Sequence, residues 1–282
     1  MAVANWDLTA TGGAGTVWLK FISAVREPYM RYACLMNVLM LPLAILAAGC
    51  PVTQSQQTPV ESLRIEEPVS GAGYYLYVPS FYSDQRDWPL VVTLHGTFGW
   101  DSSSAQIKEW KFLAEKHGLI VAAPDLKSVQ GILPVVRSLW YQDLQADEKA
   151  ILAVIDDVSR KYHIDPNAVL LTGFSAGGYP LYYVGLRNPQ RFNMLIARGC
   201  NSDLELFKQI EFSDKVRKLP VAIFWGKDEL AEIQRQSWQA FRYLREHGCR
   251  KASRKEVLGG HLRRPELTYS LWRSHLSEKH RM

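Results

Sequence analysis

The chain has 282 residues, of which 47% are hydrophobic and 22% are charged, so it can bury the core of one large α/β domain or of two small ones. The formal net charge is +5, and residues 241–282 hold eleven Lys and Arg against four Asp and Glu. No recognised motif accompanies this basic segment, which argues against a nucleic-acid-binding protein; a solvated face, or contact with an anionic polysaccharide or membrane surface, remains open.

The N-terminal segment has the pattern of an export signal. Residues 32–49 are almost entirely apolar, a length that is borderline for a membrane span and suits a secretory signal core. The segment ends Leu46-Ala47-Ala48-Gly49-Cys50, which resembles a bacterial lipobox, where the cysteine is lipidated and the preceding residues are removed. A start at Met30 would give a signal peptide of ordinary length. We therefore expect a leader over residues 1–49, lipidation at Cys50, and a domain that is either anchored in a bacterial cell envelope or secreted; an uncleaved transmembrane anchor is the alternative.

Residues 50–60 are polar and rich in Gln, Thr and Pro, which predicts a flexible spacer before a catalytic domain at residues 61–282. Apolar runs and periodicity predict strands at Tyr74–Pro79, Trp88–Gly96, Leu119–Ala123, Asn167–Leu171, Phe192–Ala197, Pro220–Trp225 and Ser253–Leu258. Helices are predicted at Lys108–His117, Gln142–Tyr162, Tyr179–Leu186, Gln234–His247 and Pro265–Ser277. This alternation predicts an α/β fold with a doubly wound, mostly parallel sheet of about eight strands. Residues 199–219 are too few for a large cap domain.

A short motif, Thr172-Gly173-Phe174-Ser175-Ala176-Gly177-Gly178, lies where a predicted strand turns into a helix. This is the context of a nucleophile elbow, in which a serine is presented on a strained turn. The flanking glycines are needed because strand and helix approach closely. The Gly-x-Ser-x-Gly pattern is weak by itself, since 19 glycines in the chain could produce it by chance. Whether the pattern marks a catalytic serine therefore depends on an acid and a histidine that follow at later strand ends.

Both follow at strand ends. Asp228 comes just after the strand at 220–225, and His261 after the last strand. The carboxyl ends of parallel strands meet at one edge of a sheet, and the order Ser175, Asp228, His261 is that of α/β hydrolases. His261 would take the serine proton, and Asp228 would fix the tautomer of the imidazole and stabilise the imidazolium. Glu229 and Asp203 remain open as alternatives for the acid.

The strand that ends His95-Gly96-Thr97 predicts the remaining part of such a site. In this fold the loop here supplies one backbone N–H of the oxyanion hole, and the residue after the nucleophile supplies the other. We assign these to Thr97, with Phe98 as second choice, and to Ala176. His95 is expected to brace the loop through hydrogen bonds.

Four aromatic side chains lie on segments that lead to the same edge, namely Trp100, Trp140, Tyr141 and Tyr179. They could hold an aromatic acyl group or a sugar, or some of them could only pack the rim. The four cysteines, at positions 34, 50, 200 and 249, form no Cys-x-x-Cys or Cys/His cluster, so no metal site is expected. Cys200 and Cys249 are expected at opposite ends of the sheet, without a disulfide between them.

Taken together, these motifs resemble secreted serine esterases of the α/β-hydrolase superfamily, in particular the polyhydroxybutyrate-depolymerase and feruloyl or acetylxylan esterase branch. The resemblance covers roughly residues 74–261 and rests on Trp88–Gly96, Ala114–Gly118, Ile155–Val158, Tyr162–Pro166, Gly173–Gly178 and Gly259–His261. It implies an α/β-hydrolase fold and hydrolysis of carboxylic esters through an acyl-enzyme, without metal or cofactor. The chain lacks the paired cysteines that many secreted relatives carry.

An uncapped site would suit polymeric or bulky acyl esters more than small ones. Two other functions remain open. A serine peptidase of the same fold would be favoured by an array of Arg or Glu that reads a peptide terminus, and no such array is visible. A catalytically inactive binding lipoprotein is disfavoured because no member of the triad is missing.

Overall fold

The computed structural model describes residues 62–130 and 137–279. The predicted leader, Cys50 and the spacer precede this range and lie outside the described residues. Within it, no helix combines the length and the apolar character that crossing a membrane requires.

The described chain forms an eight-stranded sheet with the order β1-β2-β4-β3-β5-β6-β7-β8. The strands are β1 (Leu63–Glu66), β2 (Gly73–Tyr77), β3 (Trp88–Leu94), β4 (Ile120–Pro124), β5 (Ile164–Phe174), β6 (Met194–Arg198), β7 (Val221–Gly226) and β8 (Ala252–Val257). Strands β3 to β8 pair in parallel, whereas β1 and β2 are antiparallel. The predicted fold class is confirmed. The sequence gives no signal for β1, because this edge strand has only four residues and is mostly exposed.

Helices connect the parallel strands. They are α1 (Ser103–His117), α2 (Arg137–Lys161), α3 (Gly178–Arg187), α4 (Leu204–Phe207), α5 (Asp214–Lys218), α6 (Ala231–Glu246) and α7 (Pro265–Lys279). Helix α1 begins five residues before the predicted start at Lys108, because the Ser102 side chain accepts a hydrogen bond from the Ala105 N–H at 3.2 Å and caps the helix. It ends at Gly118, whose φ of +69° suits glycine.

Two apolar layers cover the two faces of the sheet. One packs α2, α3 and α6 against the sheet, and the other packs α1 and α7. Neighbouring residues of β3 alternate between them, since Leu90 and Val92 belong to the first layer and Val91 to the second. Because both faces are buried, the central strands are continuous apolar runs, and their carboxyl ends remain free to carry a site. Between β6 and β7 the chain has only the two short helices α4 and α5.

A buried carboxylate on α2 predicts a pH dependence of stability. Asp147 accepts hydrogen bonds from the Lys127 N–H at 2.7 Å, and from the Ser128 N–H at 3.0 Å and hydroxyl at 2.6 Å. Burial nevertheless raises the pKa of Asp147 to about 6. The native state therefore binds more protons than the unfolded state, whose Asp pKa is about 4, between these two values. This group thus lowers the free energy of unfolding as pH rises from about 4 to about 6.

The contribution of Asp147 to the free energy of unfolding should change by about 3 kcal/mol in total, at roughly 1.4 kcal/mol for each pKa unit. Urea unfolding from pH 4.5 to 7.5 should show D147N gaining stability relative to wild type as pH rises. The matched control is D214N, because the Asp214 side chain is 82% exposed; its stability difference from wild type should stay nearly constant. A D147N difference that does not change with pH would contradict the prediction.

Candidate active site

The turn that carries Ser175 has the strained geometry that is typical of a nucleophile elbow. β5 ends at Phe174, a 3₁₀ turn covers Ser175–Gly177, and α3 follows directly. Ser175 has a φ of +53°, a region that side-chain-bearing residues rarely adopt. A Cβ at Gly173 would lie 2.5 Å from the Gly177 carbonyl oxygen, and a Cβ at Gly177 would lie 2.6 Å from the His95 carbonyl oxygen. Glycine is therefore needed at both positions, as the motif predicts.

The histidine that follows β8 is paired with a buried glutamate. His261 Nδ1 lies 2.9 Å from Glu229 Oε1, and the side chains are 30% and 1% exposed, respectively. The same Glu229 oxygen accepts from the Leu230 N–H at 3.0 Å. The His261 ring also stacks on Phe174, with ring centroids 4.5 Å apart. One face of the imidazole thus packs beside the nucleophile turn, while Nδ1 is held by a carboxylate.

This geometry corrects the predicted acid. Asp228 is exposed, and the partner of His261 is the next residue, Glu229. The cause is the turn after β7, in which the Glu229 N–H donates to the Gly226 carbonyl at 3.2 Å and the Asp228 N–H donates to Gly259 at 3.1 Å. Neighbouring side chains in such a turn point in different directions, and only Glu229 points to the histidine.

The other alternative for the acid serves a helix. Asp203 caps α4 by accepting from the Glu205 N–H at 2.8 Å, and it pairs with Arg137 at 2.8 Å. Its carboxylate is therefore occupied on another part of the loop.

A glycine that the sequence analysis missed lies against the pair formed by His261 and Glu229. Gly199, directly after β6, has a φ of +51°, and a Cβ there would come within 2.7 Å of Glu229 Oε2 and 3.4 Å of His261 Nδ1. Its N–H donates to the Phe224 carbonyl at 2.7 Å, which fixes the backbone. The close approach of this backbone confines the carboxylate and the imidazole. The only local signal would be a glycine at the end of a predicted strand.

The loop after β3 carries Thr97 and Phe98, the two residues considered for the first oxyanion donor. The Phe98 N–H donates to the Val129 carbonyl at 3.0 Å, which removes the second choice. The Thr97 N–H has no acceptor among residues 62–130 and 137–279, and the Thr97 carbonyl accepts from the Asp101 N–H at 3.0 Å, which closes the loop. Ala176 lies in the first turn after β5, where backbone N–H groups lack helical partners. The use of Thr97 and Ala176 as oxyanion donors stays a prediction.

His95 braces this loop, as expected. Its Nδ1 lies 2.8 Å from the Gly96 carbonyl oxygen, and the Leu126 N–H donates to Nε2 at 3.2 Å. Since Nε2 accepts, the proton is on Nδ1 and is donated to Gly96. Burial lowers the pKa of His95, which favours this neutral form.

One cavity joins these parts. It has a volume of about 430 Å³ and is lined by Gly96, Thr97, Trp100, Asp101, Phe174, Ser175, His261, Leu262 and Arg263. The loop after β3, the elbow after β5 and the segment after β8 therefore meet at a single concave surface. Two lining residues that the sequence analysis missed, Asp101 and Arg263, form an ion pair at 2.7 Å.

The four predicted rim aromatics separate into two groups. Trp100 lines the cavity and is 72% exposed. Trp140 is instead buried in the core, where its Nε1 donates to the Ser128 carbonyl at 3.1 Å. Tyr141 and Tyr179 pack partly buried against the same layer, Tyr179 edge-on to Trp140 at 5.0 Å. The prediction of a substrate rim is therefore wrong for Trp140, because the helix that carries it turns the indole inward.

Cys200 and Cys249 are both buried and free. Within the described parts of the chain, no group of three His, Cys, Asp or Glu side chains is arranged to hold a metal ion.

A doubly wound sheet with a strained serine turn after β5, and a histidine–carboxylate pair on the segments after β7 and β8, is the arrangement of the α/β-hydrolase fold. Comparisons with known proteins agree. The model of the prolyl oligopeptidase family, Peptidase_S9, matches residues 109–246. A bifunctional acetylxylan esterase/xylanase of Neocallimastix patriciarum is 28% identical over 117 residues, which are 42% of this chain and 16% of the relative. The dipeptidyl-peptidase 5 of Porphyromonas endodontalis is 23% identical over 139 residues, 46% of this chain and 19% of the relative.

Solved structures share the fold. A CE1 ferulic acid esterase from Anaeromyces mucronatus, determined in complex with ferulic acid, superposes with a TM-score of 0.57 at 15% identity, over 78% of this chain and 93% of the other. The chain spans less than a fifth of the length of the two curated relatives. Its fold is that of the α/β hydrolases, and the resemblance to feruloyl and acetylxylan esterases is confirmed.

Proposed function

We propose that this chain is a serine hydrolase that cleaves carboxylic esters through an acyl-enzyme intermediate. The observation that carries the proposal is the pairing of His261 with the buried Glu229 at 2.9 Å, since His261 lines the same cavity as the strained Ser175. In this proposal Ser175 is the nucleophile, His261 the general base and Glu229 the residue that orients it. The backbone N–H groups of Thr97 and Ala176 form the oxyanion hole, and no cofactor is required.

The reaction follows from these roles. Ser175 Oγ attacks the ester carbonyl carbon while His261 Nε2 takes its proton, and Glu229 stabilises the resulting imidazolium through Nδ1. The carbonyl oxygen becomes an oxyanion that the two N–H groups stabilise. The tetrahedral intermediate collapses, the C–O bond to the alcohol breaks, and His261 returns the proton to the leaving oxygen. A water molecule then repeats the sequence on the acyl-enzyme, which releases the acid and restores Ser175.

The form of the cavity favours a bulky or polymeric acyl ester. Trp100 and Leu262 line it and are 72% and 55% exposed, so an apolar wall is available to a large acyl group that extends into solvent. Relatives that act on acetylated or feruloylated material, by their names, support this substrate class. The proposal further includes export, with an anchor at Cys50 or secretion, on the basis of the apolar segment and the lipobox-like sequence that ends there.

A serine peptidase is the second candidate, because the prolyl oligopeptidase model matches residues 109–246 and one relative is a dipeptidyl peptidase. The two candidates share Ser175, His261 and Glu229 and differ in the leaving group. A panel of aryl and alkyl esters beside peptide p-nitroanilides separates them. Ester turnover without anilide turnover would favour the first candidate, and the reverse would favour the second.

The nucleophile itself can be tested without a choice of substrate. Intact mass after incubation with a fluorophosphonate should show stoichiometric addition to the wild-type chain and none to S175A, because only an activated serine reacts with this probe. S202A is the matched control, a buried serine outside the cavity lining, and should label like wild type. A folded wild type that does not label would overturn the proposal and leave an inactive binding protein as the better explanation.

A further inference from the structure

The carboxylate of Asp101 organises the loop that would supply the oxyanion donor. Its Oδ2 accepts from the Gly96 N–H and from the Gln106 side chain, each at 2.7 Å, and its Oδ1 accepts from the Ser102 N–H at 2.8 Å. The Thr97 carbonyl in turn accepts from the Asp101 N–H at 3.0 Å. The position of Thr97 thus depends on where this carboxylate lies.

The fourth donor to the Asp101 carboxylate comes from a distant part of the chain. Arg263 Nη2 donates to Oδ1 at 2.7 Å across 162 residues of sequence, and the Asp101 and Arg263 side chains are 3% and 32% exposed, respectively. Together with the three N–H donors, the guanidinium offsets the desolvation of this buried carboxylate. The ion pair therefore joins the loop after β3 to the segment after β8, two residues beyond His261.

The Arg263 segment is held from other sides as well. The guanidinium lies over the Phe174 ring at 5.6 Å, and the same ring stacks on His261. The Arg263 carbonyl accepts from the buried Arg198 at 3.3 Å. The next residue, Arg264, has a φ of +49°, a strained conformation that persists only where the surroundings enforce it. These contacts indicate a backbone that is kept in one defined place.

We propose that Arg263 is a positioning residue of the active site. Through Asp101 it sets the distance between the loop that carries Thr97 and the segment that carries His261. The oxyanion donor is thereby aligned with the carbonyl group that Ser175 attacks when His261 takes its proton. This inference rests on the proposed serine mechanism. It gives Arg263 no contact with the reacting atoms, and its effect is to be sought in the rate of the chemical step rather than in binding.

The test is the rate of phosphonylation of Ser175 by a fluorophosphonate, measured over a concentration series to separate the maximal rate from the half-saturating concentration. We expect R263Q and D101N each to lower the maximal rate by about 10- to 100-fold, since a misplacement of about 1 Å can cost about 100-fold. The half-saturating concentration should change less than about threefold. R263K, which keeps the charge, should recover part of the rate, and the double variant should lose no more than the slower single one.

The matched control is R160Q. Arg160 also pairs with two buried carboxylates, Asp157 at 3.1 Å and Glu67 at 3.7 Å, but lies at the end of α2 outside the cavity lining. The R160Q variant should lose thermal stability but keep the wild-type rate of phosphonylation. If R263Q reacts at the wild-type rate, or if R160Q is slowed as much as R263Q, the positioning role of Arg263 is overturned. The proposed serine mechanism would remain. If R263Q does not fold, R263K and D101N test the positioning role instead. Wild-type rates in both variants would overturn that role. A folded wild type that never labels would instead overturn the proposed function, and this inference with it.

Discussion

S175A is expected to reduce ester turnover by about 10⁶-fold, the order of loss that removal of a catalytic serine causes in a serine hydrolase. The remaining rate would come from the oxyanion hole and from binding, which the substitution leaves in place. Initial rates on an aryl ester at high enzyme concentration, after removal of any background hydrolase, measure this loss. S202A should keep turnover close to wild type. An S175A enzyme within tenfold of wild type would exclude Ser175 as the nucleophile.

The same position predicts a gain of stability. Ser175 holds a φ of +53°, which is unfavourable for any residue with a Cβ and costs glycine little. Urea unfolding should therefore find S175G about 1 kcal/mol more stable than S175A, although both lack activity. Equal stability of the two variants would mean that the turn is not strained at this residue. The stability difference between S175G and S175A would measure how much the strained backbone at Ser175 destabilises the fold.

E229Q is expected to reduce kcat by about 10⁴-fold, while D228N stays within about threefold of wild type. The reason is the 2.9 Å contact of Glu229 Oε1 with His261 Nδ1. An amide cannot stabilise the imidazolium, and its N–H₂ group would favour the wrong tautomer of the histidine; loss of the equivalent carboxylate in a serine protease costs about this factor. Asp228 is exposed and contributes its N–H, not its carboxylate, to the turn with Gly259.

The two variants form a matched pair, since each exchanges a carboxylate for an amide at adjacent positions. Steady-state kinetics on one aryl ester, with circular dichroism to verify folding, is sufficient. The opposite ranking, with D228N the slower enzyme, would return the role of the acid to Asp228 and would mean that the turn after β7 differs from the one described. Similar losses in both would mean that the turn, and not one carboxylate, is being disturbed.

Much of the sheet follows from local pattern. β3, β4 and β7 are apolar runs bounded by turn residues, and the structure begins or ends them within one or two residues of the predicted limits. Helix starts are less predictable: α2 begins at Arg137, five residues before the predicted Gln142. The first turn of α1 is mostly polar and that of α2 is mostly exposed, so the apolar period that signals a helix becomes visible only later.

The sequence by itself determined the fold class and the places of Ser175 and His261. These depend on strong local constraints, namely glycines that a tight strand–helix turn requires and strand ends that meet at one edge. The tertiary structure decided which of Asp228 and Glu229 pairs with His261, because one turn sets which of the two adjacent side chains points toward the histidine. It also decided the pairing of Asp101 with Arg263, since a contact across 162 residues leaves no trace in local pattern. Contacts between distant segments depend on how the whole sheet brings its loops together, which no window of sequence contains.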